Sequence, residues 1–96
     1  MDYIWDPAKR TKVALDHKIN FEKVYDIFRD PHAIEFIDEE HSDENETRYG
    51  IIGLTVEYGL IYLVFVEVDH KTTRFITARR AERWMVKDYE KETRRI

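Results

Sequence analysis

Cysteine is absent from the 96 residues. That removes disulfide scaffolds, thiolate zinc sites and cysteine nucleophiles, and it suits a reducing compartment. Three glycines and two prolines are too few for a collagen-like, linker-like or low-complexity chain. No apolar run approaches the roughly 20 residues that cross a bilayer. The longest, residues 60–66, has the length of a strand. The opening residues, Met1 to Asp6, lack the basic start and apolar middle of a secretory signal. These absences together lead us to expect a soluble cytoplasmic protein that does not engage membranes.

What is present is apolar and charged in near balance. Hydrophobic residues make up 43% and charged residues 38%, with six Tyr, five Phe and two Trp, enough for a packed core. A chain of this length supports one core, so a single domain is expected over residues 1–96. The net charge of −4 is unevenly spread. Residues 1–70 hold 7 basic and 16 acidic side chains, whereas residues 71–96 hold 9 basic and 4 acidic ones. Between Asp30 and Glu46 there are eight acidic residues and no Lys or Arg. Such asymmetry suits one face for a polyanion or acidic partner and another that repels it.

Patterning gives the elements. Residues 3–5 read as a short strand. Asp6-Pro7 reads as N-cap and first helical position of a helix to His17, with Ala8, Thr11 and Leu15 inside. Asn20 begins a second helix, with Ile19 and Val24 at staple spacing and Val24, Ile27 and Phe28 as its stripe. Asp30-Pro31 ends it. An edge strand is expected at 33–37, an acidic loop at 38–45, and strands at 46–54, 60–68 and 72–78 joined by hairpins. Residues 60–66 are apolar on both faces, so this strand should be central. From Arg80 to Thr93 the period is helical, with Ala81, Trp84, Met85 and Tyr89 inside and Arg80, Arg83, Lys87 and Lys91 outside. Trp84 is expected to bury most of its ring. The order β-α-α-β-β-β-β-α means an α+β fold: two N-terminal helices packed on an antiparallel sheet, with a C-terminal helix.

Metal and nucleotide signatures are missing. The four histidines have no paired helical spacing, the acidic run lacks an EF-hand's spacing and glycine, and no phosphate-binding glycine loop occurs. No metal site and no cofactor are expected. The remaining chemistry sits at element ends: His17, Glu46, Arg48 and Arg79. An arginine in an apolar sheet must reach a partner or a cleft. A carboxylate pair at the sheet margin and an anion-binding cleft both satisfy that requirement.

Several segments resemble one family. Trp5-Asp6-Pro7-Ala8-Lys9 and then His17 shortly before Asn20-Phe21-Glu22 resemble the WDxxK and KHGxxFE patterns of the BrnT toxins. Val24 to Phe28 followed by Asp30-Pro31, Glu46-Thr47-Arg48-Tyr49 with Ile52-Gly53, and Arg74 to Ala81 with Tyr89-Glu90 follow in order. The chain departs from the family pattern at Val13, Asp16, Lys18, Glu82 and Met85. The resemblance implies a RelE-like fold and a ribonuclease toxin of a type II toxin–antitoxin pair. It also implies neutralisation by a BrnA-like ribbon-helix-helix antitoxin in a hetero-oligomer, with DNA reached only through that antitoxin.

Metal-independent RNA cleavage needs a base, an acid and cations. On that reading His17, Glu46, Arg48 and Arg79 are the catalytic candidates and should converge on one cleft. Arg80, Arg83, Lys87 and Tyr89 are the RNA-binding candidates. The alternative is a non-catalytic module that binds an antitoxin-like partner through the basic terminal helix or by strand addition at 33–37.

Overall fold

The computed structural model describes residues 1–94; the last two residues of the expected domain lie outside the described residues. In chain order it contains β1 (Asp2–Trp5), α1 (Pro7–His17), two 3-10 turns (Phe21–Lys23 and Tyr25–Arg29), β2 (Ile34–Ile37), β3 (Tyr49–Thr55), β4 (Gly59–Asp69), β5 (Thr72–Arg80) and α2 (Arg83–Thr93). Among the described residues no helix is long and apolar enough to cross a membrane.

Asp6 separates β1 from α1 as the sequence indicates. Its carboxylate accepts the Ala8 N–H at 2.9 Å, and Pro7 opens the helix. The inner stripe differs from expectation. Ala8, Thr11 and Leu15 are exposed, and Val13 is the buried residue of the helix. α1 rests chiefly on β5 rather than across the sheet, so only the position facing that strand is covered.

α1 ends at Lys18, which is held in the left-handed region with φ 59° and donates its N–H to the Ala14 carbonyl. A side chain there crowds its own carbonyl, which is why glycine is favoured. Lys18→Gly is therefore expected to stabilise the fold by about 0.5–1 kcal/mol, read as a higher urea midpoint at unchanged slope.

The second expected helix is corrected. Residues 21–29 form two 3-10 turns broken at Val24, whose φ is −116° and ψ 2°. The reason is the spacing of the buried residues. Phe21, Val24 and Ile27 are fully buried, and a repeat of three matches 3-10 geometry rather than the 3.6 of an α-helix.

The sheet runs β1-β5-β4-β3-β2. β4 is central, as expected, but the sheet is mixed rather than antiparallel, because β1 pairs parallel with β5. Aromatic packing accounts for that pairing: Tyr3 and Trp5 bring their rings onto Phe75 at centroid distances of 5.2 and 5.9 Å. One face packs under α1 and the 3-10 turns through Val13, Ile19, Phe21, Ile51, Leu63 and Phe75. The other packs under α2 through Ile52, Tyr62, Val64, Val66, Ile76 and Met85.

The C-terminal helix starts at Arg83 rather than Arg80, because the ladder of β5 continues through Arg79 and Arg80, opposite Tyr62 and Ile61. Met85 is buried as expected, at 1% exposure, whereas Trp84 is 49% exposed. The expectation that Trp84 buries its ring is thus overturned; its indole N–H is bonded to Glu82 at 2.9 Å instead.

Candidate functional site

A bulge in β5 aims the site. Arg74 and Arg79 are five residues apart, an odd spacing that a regular strand sends to opposite faces. The register jumps from Val64↔Thr77 to Phe65↔Phe75, leaving Ile76 as the extra residue. Arg74 then stands opposite Val66 and Arg79 opposite Tyr62. Val66 and Tyr62 share the α2-side face, so both arginines do too.

Two arginines meet on one carboxylate. Arg48 reaches Glu46 Oε1 at 3.1 Å, and Arg74 reaches Oε2 at 2.6 Å. The Arg74 guanidinium first, and that of Arg48 second, hold Glu46 below its ordinary range. Glu46 is thus ionised at neutral pH and carries no proton to donate. Sequence alternation suggested strand from residue 46, but β3 begins at Tyr49. Glu46 and Arg48 lie in the irregular segment just before it, where Glu46 meets both Arg48 and Arg74.

Three clefts share lining residues here. Asp6, Lys9, Arg48, Arg74, Phe75 and Ile76 line one of about 260 Å³. Lys9 and Ile76 also line a smaller one, about 100 Å³, that contains His17, Lys12 and Thr77. Arg74 and Glu46 line a third with Asn45, Thr47 and Tyr49. Thus Glu46 and Arg48 come together, whereas His17 lines a separate cleft that shares Lys9 and Ile76 with that of Arg48.

Arg79 does not line any of these clefts. Its register partner Tyr62 is four residues from Val66, about 13 Å along a strand. Its guanidinium lies 5.6 Å over the Tyr62 ring and pairs with Glu82 at 3.0 Å. Arg80 alternates to the opposite face, where it bonds the Tyr58 carbonyl at 2.9 Å. Arg83 and Lys87 are exposed on α2. Tyr89 is turned inward, donating to Asp30 at 2.7 Å.

Sequence reasoning missed Arg74 and Lys9 as cleft residues, although both lie within the segments that carry the family resemblance. It also read residues 38–45 as a solvated loop. The structure shows an anchored one. Buried Asp38 accepts from the Tyr62 hydroxyl, from the His41 N–H at 3.1 Å and from the His41 ring at 2.8 Å. Ser42 Oγ accepts the Arg48 N–H at 2.8 Å, and the Asp38 N–H is bonded to the Arg48 carbonyl at 2.8 Å. The Tyr62 ring covers Gly50, leaving no room for a Cβ there. The loop therefore grips the backbone of Arg48 and fixes where its guanidinium starts.

Asp30 performs a similar task at the other end, accepting from the His32 and Leu54 N–H groups at 2.9 and 2.8 Å as well as from Tyr89. Burial and then the Asp30 bond push the Tyr89 hydroxyl up to about 12. Burial likewise raises Tyr62, reinforced by Asp38. For Asp30 and Asp38 burial acts upward, but the hydrogen bonds outweigh it and both carboxyls end below the ordinary 3.8.

A carboxyl lowered in the folded state contributes stability that is present above its unfolded value and lost as pH falls through the folded one. Unfolding free energy is therefore expected to stay level from neutral pH to about 5 and to drop below about 4. Asp30→Asn combined with Asp38→Asn should flatten that drop while lowering stability at pH 7. Denaturant melts across pH measure both.

Residues 5–84 match the family described as ribonuclease toxin, BrnT, of type II toxin-antitoxin system. The crystal structure of the Brucella abortus ribonuclease toxin BrnT superimposes with a TM-score of 0.67 at 24% identity, over 86% of this chain and 99% of that one. At that identity the likeness speaks for the fold. No curated protein matches the sequence. The family match runs from Trp5, the last residue of β1, to the start of α2 and takes in every residue of the three clefts; the chain belongs to the BrnT family of ribonuclease toxins of type II toxin–antitoxin systems.

Proposed function

We propose that the chain cleaves RNA without a metal ion, on a RelE-like scaffold, with the scissile phosphate seated between Lys9, Arg48 and Arg74. The observation that carries this reading is the Glu46 carboxylate held by both guanidiniums, at 3.1 and 2.6 Å. An anion with two forked donors is the arrangement a phosphodiester needs, and the carboxylate oxygens stand where phosphate oxygens would bind.

His17 is the proton-transfer group of this reading, because an imidazole nitrogen can both take up and give a proton. It takes the proton from the 2′-hydroxyl or returns one to the departing 5′-oxygen. Glu46, ionised throughout, aligns the two arginines and yields part of their coordination to the incoming phosphate. Arg48, Arg74 and Lys9 then neutralise the charge that develops on the phosphorane. Arg79, with Arg83 and Lys87, is assigned to the path of the RNA strand beyond the scissile bond; Arg80, on the opposite face, and Tyr89, committed to Asp30, are left out of it. A ribbon-helix-helix, BrnA-like antitoxin neutralises the toxin in a cytoplasmic hetero-oligomer and supplies any contact with DNA. No cofactor takes part.

Induced expression tests the reading as a whole. Cells should stop growing, and co-expression of a ribbon-helix-helix protein encoded next to this chain should restore growth. Normal growth with folded protein present would overturn it.

A further inference from the structure

One edge of the sheet is open. The Asp38 N–H is bonded to the Arg48 carbonyl, and β2 pairs with β3 in the register Ile34↔Ile52 and Phe36↔Gly50. In an antiparallel ladder the bonded pairs alternate, so Ile34, Phe36 and Asp38 bond inward. Glu35 and Ile37 then turn their N–H and C=O groups outward. β2 is the last strand in the order, and it carries neither the lysine nor the proline that commonly blunts an edge. Ile37 is 55% exposed beside it.

The charge around this edge selects its occupant. Asp30, Asp38, Asp43 and Glu46 spend their carboxylates on hydrogen bonds or ion pairs within the fold. Glu35, Glu39, Glu40 and Glu44 are exposed and have no side-chain partner among the described residues. A second copy of the chain would set these four carboxylates against their own images, which is repulsive. An incoming strand would place one row of side chains beside Ile34 and Phe36, and the other beside Glu35 and Ile37. The first row wants apolar residues; the second wants basic ones, whose charged ends reach the carboxylates while their aliphatic stems lie on Ile37.

We infer that the β2 edge takes up, by strand addition, an extended segment of the antitoxin that alternates aliphatic and basic residues. The identity of the occupant rests on the toxin–antitoxin reading above; the edge and its chemistry do not depend on RNA cleavage.

The test is a titration of the isotope-labelled chain with a short peptide alternating valine and lysine, and with its valine–glutamate counterpart. Binding of the lysine peptide should shift the Glu35 and Ile37 amides and slow their hydrogen exchange, with the glutamate peptide weaker by about tenfold or more. Ile37→Pro removes an outward N–H that the fold does not use. It should abolish binding and leave RNA cleavage at the wild-type rate. Glu35→Lys with Glu40→Lys is the second variant and should weaken binding comparably if the proline variant does not fold.

No binding, shifts mapping elsewhere, equal binding of both peptides, or wild-type binding by a folded variant would each overturn the inference. An inactive wild type that still takes up the lysine peptide at this edge would instead count against RNA cleavage alone.

Discussion

Replacing Phe75 by alanine is expected to cost about 3–5 kcal/mol, much of the roughly 5–14 kcal/mol that stabilises a domain of this length. Phe75 is fully buried and is the ring that the others share. Tyr3, Trp5, Phe21, Tyr25 and Phe28 all lie within 6.2 Å of its centroid. It also stands opposite Trp5 in the parallel pairing. Its loss therefore opens a cavity and loosens the N-terminal strand together. Trp84→Ala is the contrast. That ring is 49% exposed, so truncating it should cost under about 1 kcal/mol. Urea midpoints of the two variants separate the assignments. Equal destabilisation by both would show that the core has been misread.

Arg74→Ala is expected to lower the rate of RNA cleavage by about a hundredfold, the usual effect of removing one donor from a developing oxyanion. Stability should hold, because the side chain is 36% exposed and its partner Glu46 keeps Arg48. Arg74→Lys should recover only part of the rate, since an ammonium keeps the charge but not the fork. In cells the alanine variant should accumulate as folded protein without arresting growth. A variant that cleaves RNA at the wild-type rate would remove Arg74 from the phosphate site.

The parts of the molecule differ in how far the sequence discloses them. Asp6-Pro7 announced the start of α1 because capping is a local matter, settled by neighbouring atoms. The centrality of β4 followed from seven consecutive apolar residues, 60–66, which need cover on both sides. The 3-10 turns could not be separated from a helix. Both spacings bury Val24 and Ile27, and the full burial of Phe21 that decides between them is tertiary.

The start of α2 failed for a similar reason. Arg79 and Arg80 suit a helix as well as a strand, and it is pairing with Tyr62 and Ile61 that makes them strand. Met85 is inside as the pattern indicates, whereas Trp84, one position before it, faces out.

The site was half legible. Glu46 and Arg48 could be singled out because charges bordering an apolar sheet need partners. Arg74 could not, because its partner Glu46 is 28 residues away along the chain and only the folded sheet brings the two together. His17 was placed at the end of α1 correctly, but its neighbour Lys9 became a cleft residue only once α1 was seen against β5.

A 2′-hydroxyl attack driven by His17, Arg48 and Arg74 needs no divalent ion and leaves a 2′,3′-cyclic phosphate or its 3′-phosphate product, with a free 5′-hydroxyl. The direct measurement is to incubate the purified chain with RNA in excess chelator and determine the ends of the fragments. The account predicts cleavage at an undiminished rate with 5′-hydroxyl ends. RNA left intact until a divalent ion is added, or fragments carrying 5′-phosphates, would contradict it.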